Sequence, residues 1–475
     1  MFLLFVPKPK IASLDFLRNF DYSIKMLNSF QAEFLFNLFV FICAFSLILY
    51  LPRIRYYIAG LKKPRRAFNQ EKKSLAVIVP AKNEKGLRVL LDSLAAQTYD
   101  KDFYDIHVVV GDKNDPNIEL CKSYKNCFSK VIENQTCKGE ALDGILQDLL
   151  QEDKRKYEGF VIVDADNIVD ANFLMEMNNA FAFDKQIVLG KRCVKNYLYG
   201  KKYRSWAVNC NALTYTFLDK MGNCFRTERN MSNTICGTGL MVRRDLVQAM
   251  GGWPYRSMTE DFELTVTALL NNWTSCYYEY AVTYTEEGIS LKSCNARRRR
   301  WLMGYAQVGV KYGKLVSQKF WKYVRDFFCG SKESVAQNSK QAELESGNFW
   351  GCFDYLFSFV PLYIYFAGTA ILALAFMGDA AYKFFAFQTV DLYSLHCAVK
   401  ILLVLYGVLF FYTAIAFYED RAMYGAISVF EKVFALFVNP FYITQYAQFY
   451  IEAYYLLLTK KKAKQSWIQV ERMES

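Results

Sequence analysis

Asp164 and Asp166 stand one residue apart, directly after the apolar run Val161-Ile162-Val163. Two carboxylates are hard oxygen donors. A cation such as Mg2+ or Mn2+ is commonly held by one or two of them and completed by substrate phosphates. The apolar run is the kind that a strand buried on both faces carries. Ligands of α/β sheets gather where such strands end. In an extended chain, residues two apart point the same way, so the spacing aims both carboxylates at one ion. A solvated turn after a strand has the same sequence, and the pair alone leaves both readings open.

Other candidate residues fall at similar places. Pro80-Ala81-Lys82-Asn83-Glu84 follows the apolar run Leu75–Pro80, and Asp112 follows Val108-Val109-Val110-Gly111, with Asn114-Asp115-Pro116 as the turn beyond it. Either turn can approach a nucleotide, and either can be an ordinary polar connection. Lys138-Gly139 opens a helical pattern, where a lysine beside a helix N-terminus suits a phosphate. Thr259-Glu260-Asp261 precedes the apolar periodicity of Phe262–Leu270. Thr259 is placed to cap that helix and the acids to stabilise its first turn, or the acids do chemistry. Arg297-Arg298-Arg299-Arg300-Trp301 reads as opening a helix over Leu302–Val316. Guanidinium forks match phosphate oxygens, and a basic patch at a membrane edge has the same composition. The chain holds two histidines, His107 and His396. That nearly excludes a Ser/His/Asp triad or a histidine-rich metal site and leaves a carboxylate as the available general base.

The elements that must position these residues alternate. Strands are expected at Leu75–Pro80, Ile106–Gly111, Lys130–Glu133 and Phe160–Val163, and helices at Leu87–Gln97, Ile118–Tyr124 and Gly139–Leu150. Such alternation argues for a largely parallel sheet with helices on both faces. Gly237–Val242 and Thr274–Tyr284 read as later strands. Residues 193–222 look helical and are assigned to the acceptor side.

Of the 475 residues, 53% are hydrophobic, unevenly spread, and the formal charge is +12 from 58 Lys+Arg against 46 Asp+Glu. The basic runs are Arg53–Arg66, Arg297–Arg300 and Lys460–Lys464, the first and last flanking apolar stretches. Residues 33–51 have membrane-spanning length, and their basic flank places the next part of the chain in the cytoplasm. Phe353–Met377 and Ala398–Phe417 are long enough to span, and Phe430–Leu458 is apolar but interrupted at Asn439-Pro440. Three C-terminal spans would put Lys460–Lys464 outside, against the positive-inside preference. Either Phe430–Leu458 is a hairpin or interfacial segment, or another span lies flat on the membrane. The expected divisions are 1–52 with one span, a cytoplasmic domain 53–330, a linker 331–349, membrane or interfacial helices 350–459, and a basic cytoplasmic tail 460–475. The 13 cysteines include no Cys-x-x-Cys pair, which fits free thiols in a reducing compartment.

Taken in order, Pro80–Glu84, Asp112, Lys138-Gly139-Glu140-Ala141-Leu142, Asp164-Ala165-Asp166, Gly237-Thr238-Gly239, Thr259-Glu260-Asp261 and Arg297–Trp301 resemble the inverting family 2 glycosyltransferases. The likeness is to the membrane-embedded synthases of the cellulose, hyaluronan and poly-N-acetylglucosamine type, and it covers roughly residues 74–310. It implies an α/β fold: a GT-A, Rossmann-like mixed sheet flanked by helices and inserted between N- and C-terminal transmembrane helices. It implies a nucleotide-sugar donor, a UDP-sugar by analogy, bound by Pro80, Asn83, Glu84, Asp112, Lys138 and Asp164. It implies a divalent metal, Mg2+ or Mn2+, on Asp164 and Asp166, and Asp261 as the base with Glu260 beside it. Arg300 and Trp301 match the end of a Gln-x-x-Arg-Trp motif associated with acceptor or diphosphate binding, and Arg297 occupies its glutamine position. The chain departs from the pattern at Arg297, where the family has glutamine, and at Glu286-Glu287-Gly288, where relatives often carry a glutamate and then a proline.

The partners implied are a glycan or lipid-linked acceptor and the lipid bilayer; the protein would be a multi-pass cell-membrane enzyme. A single-sugar transferase to a lipid or envelope acceptor is the nearest alternative. A non-catalytic transporter or scaffold is the alternative from another class. A degenerate domain has no reason to keep every acidic motif, and few ionisable residues lie within the spans. The basic runs flank membrane segments, so no nucleic acid is expected.

Overall fold

A computed structural model of the protein describes residues 60–62, 65–151, 156–329, 339–359 and 362–459. These all belong to one compact unit, Arg55–Ser475. The expected span at 33–51 and the tail Lys460–Lys464 lie outside the described residues, as do residues 331–338 of the expected linker.

Strands and helices alternate as expected through β1 (Leu75–Pro80), α1 (Leu87–Ala95), β2 (Tyr104–Val110), α2 (Asn117–Lys122), β3 (Cys127–Val131), α3 (Lys138–Gln151) and β4 (Gly159–Ile162). There follow β5 (Ile168–Val169), α4 (Phe173–Asn179), β6 (Ile187–Val194), α5 (Trp206–Tyr215), α6 (Cys224–Glu228), β7 (Leu240–Arg243), α7 (Arg244–Met250), α8 (Glu260–Asn271) and β8 (Ser275–Thr285). The long α9 (Leu291–Cys329) leads to α10 (Ser339–Phe359), α11 (Leu362–Phe387), α12 (Leu392–Glu419) and α13 (Val429–Leu458).

One eight-stranded sheet runs in the order β3-β2-β1-β4-β7-β6-β8-β5. The β3-β2-β1-β4 half is parallel, whereas β7 is antiparallel to both β4 and β6. The sheet is therefore mixed. Side chains alternate across it as strand geometry requires. Leu75, Val77, Val79, Val161 and Val163 pack on one face, against α1 and α4. Ala76, Ile78, Phe160 and Ile162 pack on the other, against α3 and α8. Both layers are dry, which explains the unbroken apolar runs.

Several expectations fail for identifiable reasons. Residues 193–222 do not form one helix: 193 and 194 end β6, single 3-10 turns follow at Lys195–Leu198 and Lys201–Tyr203, and the α-helix begins at Trp206. β6 hides because Lys191 and Arg192 read as surface residues, yet both are buried on distant partners. Lys191 pairs with Asp420 at 2.5 Å, and Arg192 pairs with Asp219 at 3.0 Å. The expected span Phe353–Met377 is divided between α10 and α11. The α10 part packs on the sheet-bearing part of the chain, where Asp354 pairs with Arg226 at 2.7 Å and Tyr355 is buried against α8 and α9. The described part of the linker, from Ser339, is helix. Phe430–Leu458 is no hairpin, because α13 runs through Pro440 as a single helix. Proline removes a backbone donor; here the neighbouring Asn439 is fully buried and donates to Thr413 of α12 at 2.8 Å.

Among the described residues, two helices are long and apolar enough to cross a membrane, Gly368–Phe387 within α11 and Leu392–Glu419. Lys383 clasps their junction, pairing with Asp379 at 2.7 Å and Asp391 at 2.6 Å. The twelve described cysteines are free.

The Lys191–Asp420 pair ties the C-terminal helices to the sheet. Removing one partner of a buried pair strands the other charge and costs about 3–5 kcal/mol. Asp420→Asn is therefore expected to lower the melting temperature of detergent-purified protein markedly. An unchanged melting temperature would show that water already screens the pair.

Candidate active site

The loops at the carboxyl ends of β1, β2 and β4 converge. After β1, Asn83 adopts a left-handed conformation (φ 55°), and its backbone N–H donates to Asp115 at 3.2 Å. Asp115 also accepts from the Asn117 backbone at 2.9 Å, and the Asn117 side chain donates to the Glu84 carbonyl at 2.9 Å. Asp115 is thus the buried organiser of two turns, a role that its place in the sequence, as a turn residue, does not reveal. The Glu84 carboxylate accepts from the Gly86 backbone at 3.2 Å, and Pro80 is half-buried at the strand end. Asp112 is exposed and accepts from the Asn114 backbone at 2.8 Å, which leaves carboxylate lone pairs towards solvent.

The Asp-x-Asp segment is not extended. β4 ends at Ile162, and residues 164–167 form a turn closed by the Asn167 N–H donating to the Asp164 carbonyl at 3.0 Å. Asp164 and Asp166 nevertheless remain half-buried, while Ala165 and Asn167 between and beyond them are buried. Thr238 fixes this turn: its hydroxyl accepts from the Asp164 N–H at 3.0 Å and from the Asn167 side chain at 2.5 Å. No third His, Cys, Asp or Glu among the described residues joins the pair to complete a metal cage. Two half-exposed carboxylates fit a hard divalent cation whose other ligands are water and phosphate oxygens.

Lys138, the first residue of α3, sits at the centre. Its ammonium donates to Asp164 at 2.6 Å and to the Gly237 carbonyl at 2.5 Å, and it lies 3.5 Å from Glu260. Burial works against its charge, but the Asp164 and Glu260 carboxylates outweigh burial and hold its pKa above that of an ordinary lysine. A Cβ placed on Gly237 would lie 3.1 Å from the Lys138 ammonium, 3.3 Å from Asp261 and 3.4 Å from Glu260. The glycine therefore marks where lysine and both acids meet. Thr259 makes no cap bond; its side chain packs where Gly304 of α9 leaves room. The two acids of the first turn of α8 thus face the lysine.

Burial pushes the Glu260 carboxyl up to about 7, with Lys138 opposing and Asp261 adding. Burial raises Asp261 too, again against Lys138. A raised carboxyl keeps its proton to higher pH, so the base form is gained as pH rises and lost as pH falls. The expected result is an acid limb in kcat/KM above the ordinary carboxylate range, falling about tenfold per pH unit below it. Glu260→Gln removes one of two adjacent negative charges and should move that limb to lower pH. A profile that stays flat down to the ordinary aspartate range, about pH 4, would contradict this assignment.

The arginine run does not act as one clamp. It spans the second and third turns of α9, which begins at Leu291 and not at Leu302, and successive residues turn about 100° around a helix. Arg297 is half-buried, its side chain nearly enclosed, donating to Glu287 at 2.8 Å and to the Glu286 carbonyl at 2.8 Å. Arg298 is fully buried, its guanidinium 3.4 Å from the Tyr442 ring centroid of α13. Arg299 pairs with Glu452 at 3.1 Å, and Arg300 is exposed. Trp301 is one turn after Arg297 and three residues before Gly304, which touches Thr259. Trp301 is half-buried. Lys195 and Glu286, not anticipated from sequence, complete this edge. Lys195 donates to the Asp166 carbonyl at 2.8 Å and pairs with Glu286 at 3.1 Å.

The sequence family described as Glycosyl transferase family group 2 matches residues 159–447, more than half of the chain. The chain belongs to this family. It is 23% identical over 249 residues to a probable glycosyltransferase, YdaM, of Bacillus subtilis, covering 51% of this chain and 58% of that protein. It is 26% identical over 249 residues to a beta-monoglucosyldiacylglycerol synthase of Trichormus variabilis, covering 51% of each. The matches thus span little more than half the length of these relatives. Among solved structures, the mannosyltransferase PcManGT of Pyrobaculum calidifontis, in complex with GDP-Man and Mn2+, shares the fold. Its TM-score is 0.50 at 16% identity, over 90% of this chain and 100% of that one.

Proposed function

We propose that this glycosyltransferase is a membrane-embedded, inverting enzyme. It moves a sugar from a nucleotide-diphosphate donor to an acceptor hydroxyl in lipid or envelope glycan synthesis. The observation that carries the reading is the position of Lys138, which bridges Asp164 on the donor side and Glu260 on the acceptor side, with Asp261 beside it.

The nucleotide lies along the loops after β1 and β2, with Asp112 accepting from its base or ribose and Asn83, Glu84 and Pro80 shaping the wall. The diphosphate reaches the Asp164–Asp166 turn. Mg2+ or Mn2+ held there would neutralise the leaving group's developing charge; the Mn2+ in PcManGT supports this. Lys138 supplies fixed positive charge to the same group, and Arg297, Arg300 and Trp301 bound the opposite edge. Asp261 takes the acceptor hydroxyl proton. The acceptor oxygen bonds to the anomeric carbon as the carbon–phosphate oxygen bond breaks on the opposite face, and the nucleoside diphosphate departs. Glu260 raises the basicity of its neighbour through like charge.

A membrane location is supported by the two apolar helices. Two spans, Gly368–Phe387 within α11 and α12, return α13 to the domain's side. α13 packs there on α9 through Arg298 and Tyr442. This arrangement keeps Lys460–Lys464 cytoplasmic and removes the conflict with the positive-inside preference. The similarity to a beta-monoglucosyldiacylglycerol synthase favours a lipid acceptor.

The test is a donor screen on detergent-purified protein with Mn2+, using diacylglycerol and oligosaccharide acceptors and reading nucleoside diphosphate and product mass. One sugar added to lipid supports the lipid reading, and a ladder of products supports a polysaccharide synthase. No release with any donor or acceptor would overturn both.

A further inference from the structure

Both departures from the family pattern meet at one bond: Arg297, in the glutamine position, donates to Glu287 at 2.8 Å. The Glu287 side chain is wholly buried and that of Arg297 nearly so. The same carboxylate accepts from the Asn211 side chain and the Tyr215 hydroxyl of α5. Asn196 holds the Glu287 backbone at both ends, its oxygen accepting from the N–H at 2.8 Å and its amide donating to the carbonyl at 2.9 Å. Glu287 is thus fixed independently of Arg297, whereas the described hydrogen bonds of Arg297 all run through Nη1, to Glu287 and the Glu286 carbonyl. Of the two, the glutamate is the anchor and the arginine is held. Glu286, whose carbonyl accepts from Arg297, pairs through its carboxylate with Lys195 at 3.1 Å, and Lys195 donates to the Asp166 carbonyl at 2.8 Å, so the held guanidinium lies beside the Asp166 turn.

We propose that Glu287 is a positioning residue for departure of the diphosphate, setting the guanidinium of Arg297 beside Asp166. This rests on the proposed function's placing of the diphosphate between Asp166 and Arg297. A neutral glutamine at 297 needs no counter-charge. A buried guanidinium does, because an unpaired ion in a dry site is strongly unfavourable. Glu287 supplies that charge and, by accepting at Nη1, fixes which edge of the fork is left for phosphate oxygens. No covalent role is assigned to Glu287, which acts through Arg297.

A double-substitution cycle on the full-length protein in detergent tests this, reading kcat and donor KM from nucleoside diphosphate release together with melting temperature. Glu287→Gln is expected to lower kcat at least about tenfold where Arg297 is present, but by less than about threefold in the Arg297→Gln background. Melting temperature should behave differently: each single substitution lowers it, and the double variant recovers because both buried charges are gone. Equal kcat losses from Glu287→Gln in both backgrounds would overturn the proposal, leaving Glu287 a structural residue only. Near wild-type kcat in the double variant would instead overturn the placing of Arg297 at the diphosphate, while the recovered melting temperature would still show the pairing. Should Glu287→Gln fail to fold, Glu287→Asp keeps the charge and shortens the reach. It is expected to lower kcat with little change in melting temperature, and wild-type kcat there would also contradict the proposal.

Discussion

Asp261→Asn is expected to abolish sugar transfer while leaving donor binding nearly intact. The amide is isosteric and still accepts from the Phe262 backbone N–H, a bond the carboxylate makes at 2.8 Å. The first turn of α8 should therefore keep its geometry. The amide cannot take a proton, and removing a positioned general base typically costs about 10²–10⁴ in rate. The expected kcat loss is about a thousandfold, with donor affinity within about threefold of wild type. Nucleoside diphosphate release and equilibrium donor binding, measured on one preparation, check both halves. Normal turnover in Asp261→Asn would remove the base from this position, and lost donor binding would place Asp261 on the donor side.

The second large effect is expected at Lys138. Lys138→Met keeps much of the side-chain volume but removes the charge that touches Asp164, the Gly237 carbonyl and, at 3.5 Å, Glu260. Loss of a fixed cation at a developing diphosphate is worth about 10²–10³ in kcat. A second consequence has a definite sign. Lys138 opposes the upward shift of both Glu260 and Asp261. Without it both carboxyls hold their protons to still higher pH, so the acid limb moves up. Glu260→Gln moves the same limb down. Opposite displacements in the two variants would show that the three groups titrate as one cluster. Displacement in the same direction would contradict the geometry.

Much of this site is legible in the sequence because strand ends announce themselves. Val161-Ile162-Val163 before Asp164, and Val108-Val109-Val110 before Asp112, are dry strands running into polar loops, and each lies where its apolar run places it. Less legible is anything that depends on a distant partner. β6 carries Lys191 and Arg192 inside the fold because Asp420, 229 residues on, and Asp219, 27 residues on, meet them there. The four arginines read as one patch because a linear sequence hides the 100° turn between neighbours. Glu286 and Glu287 follow an apolar strand just as Asp164 does, so the signal is present. It reads as a departure from a motif because its meaning depends on Arg297 and Lys195. The proline in α13 reads as a break, whereas tertiary packing around Asn439 carries the helix through.

The most direct test of the account is the anomeric configuration of the product, read by NMR from purified protein, an α-linked nucleotide sugar and Mn2+. A single displacement assisted by Asp261 forms the new bond on the face opposite the departing diphosphate. The account therefore predicts a β-linked product, absent when Asp261→Asn replaces wild type. An α-linked product would mean two successive displacements or a same-face mechanism, and would contradict the role given to the Lys138–Glu260–Asp261 cluster.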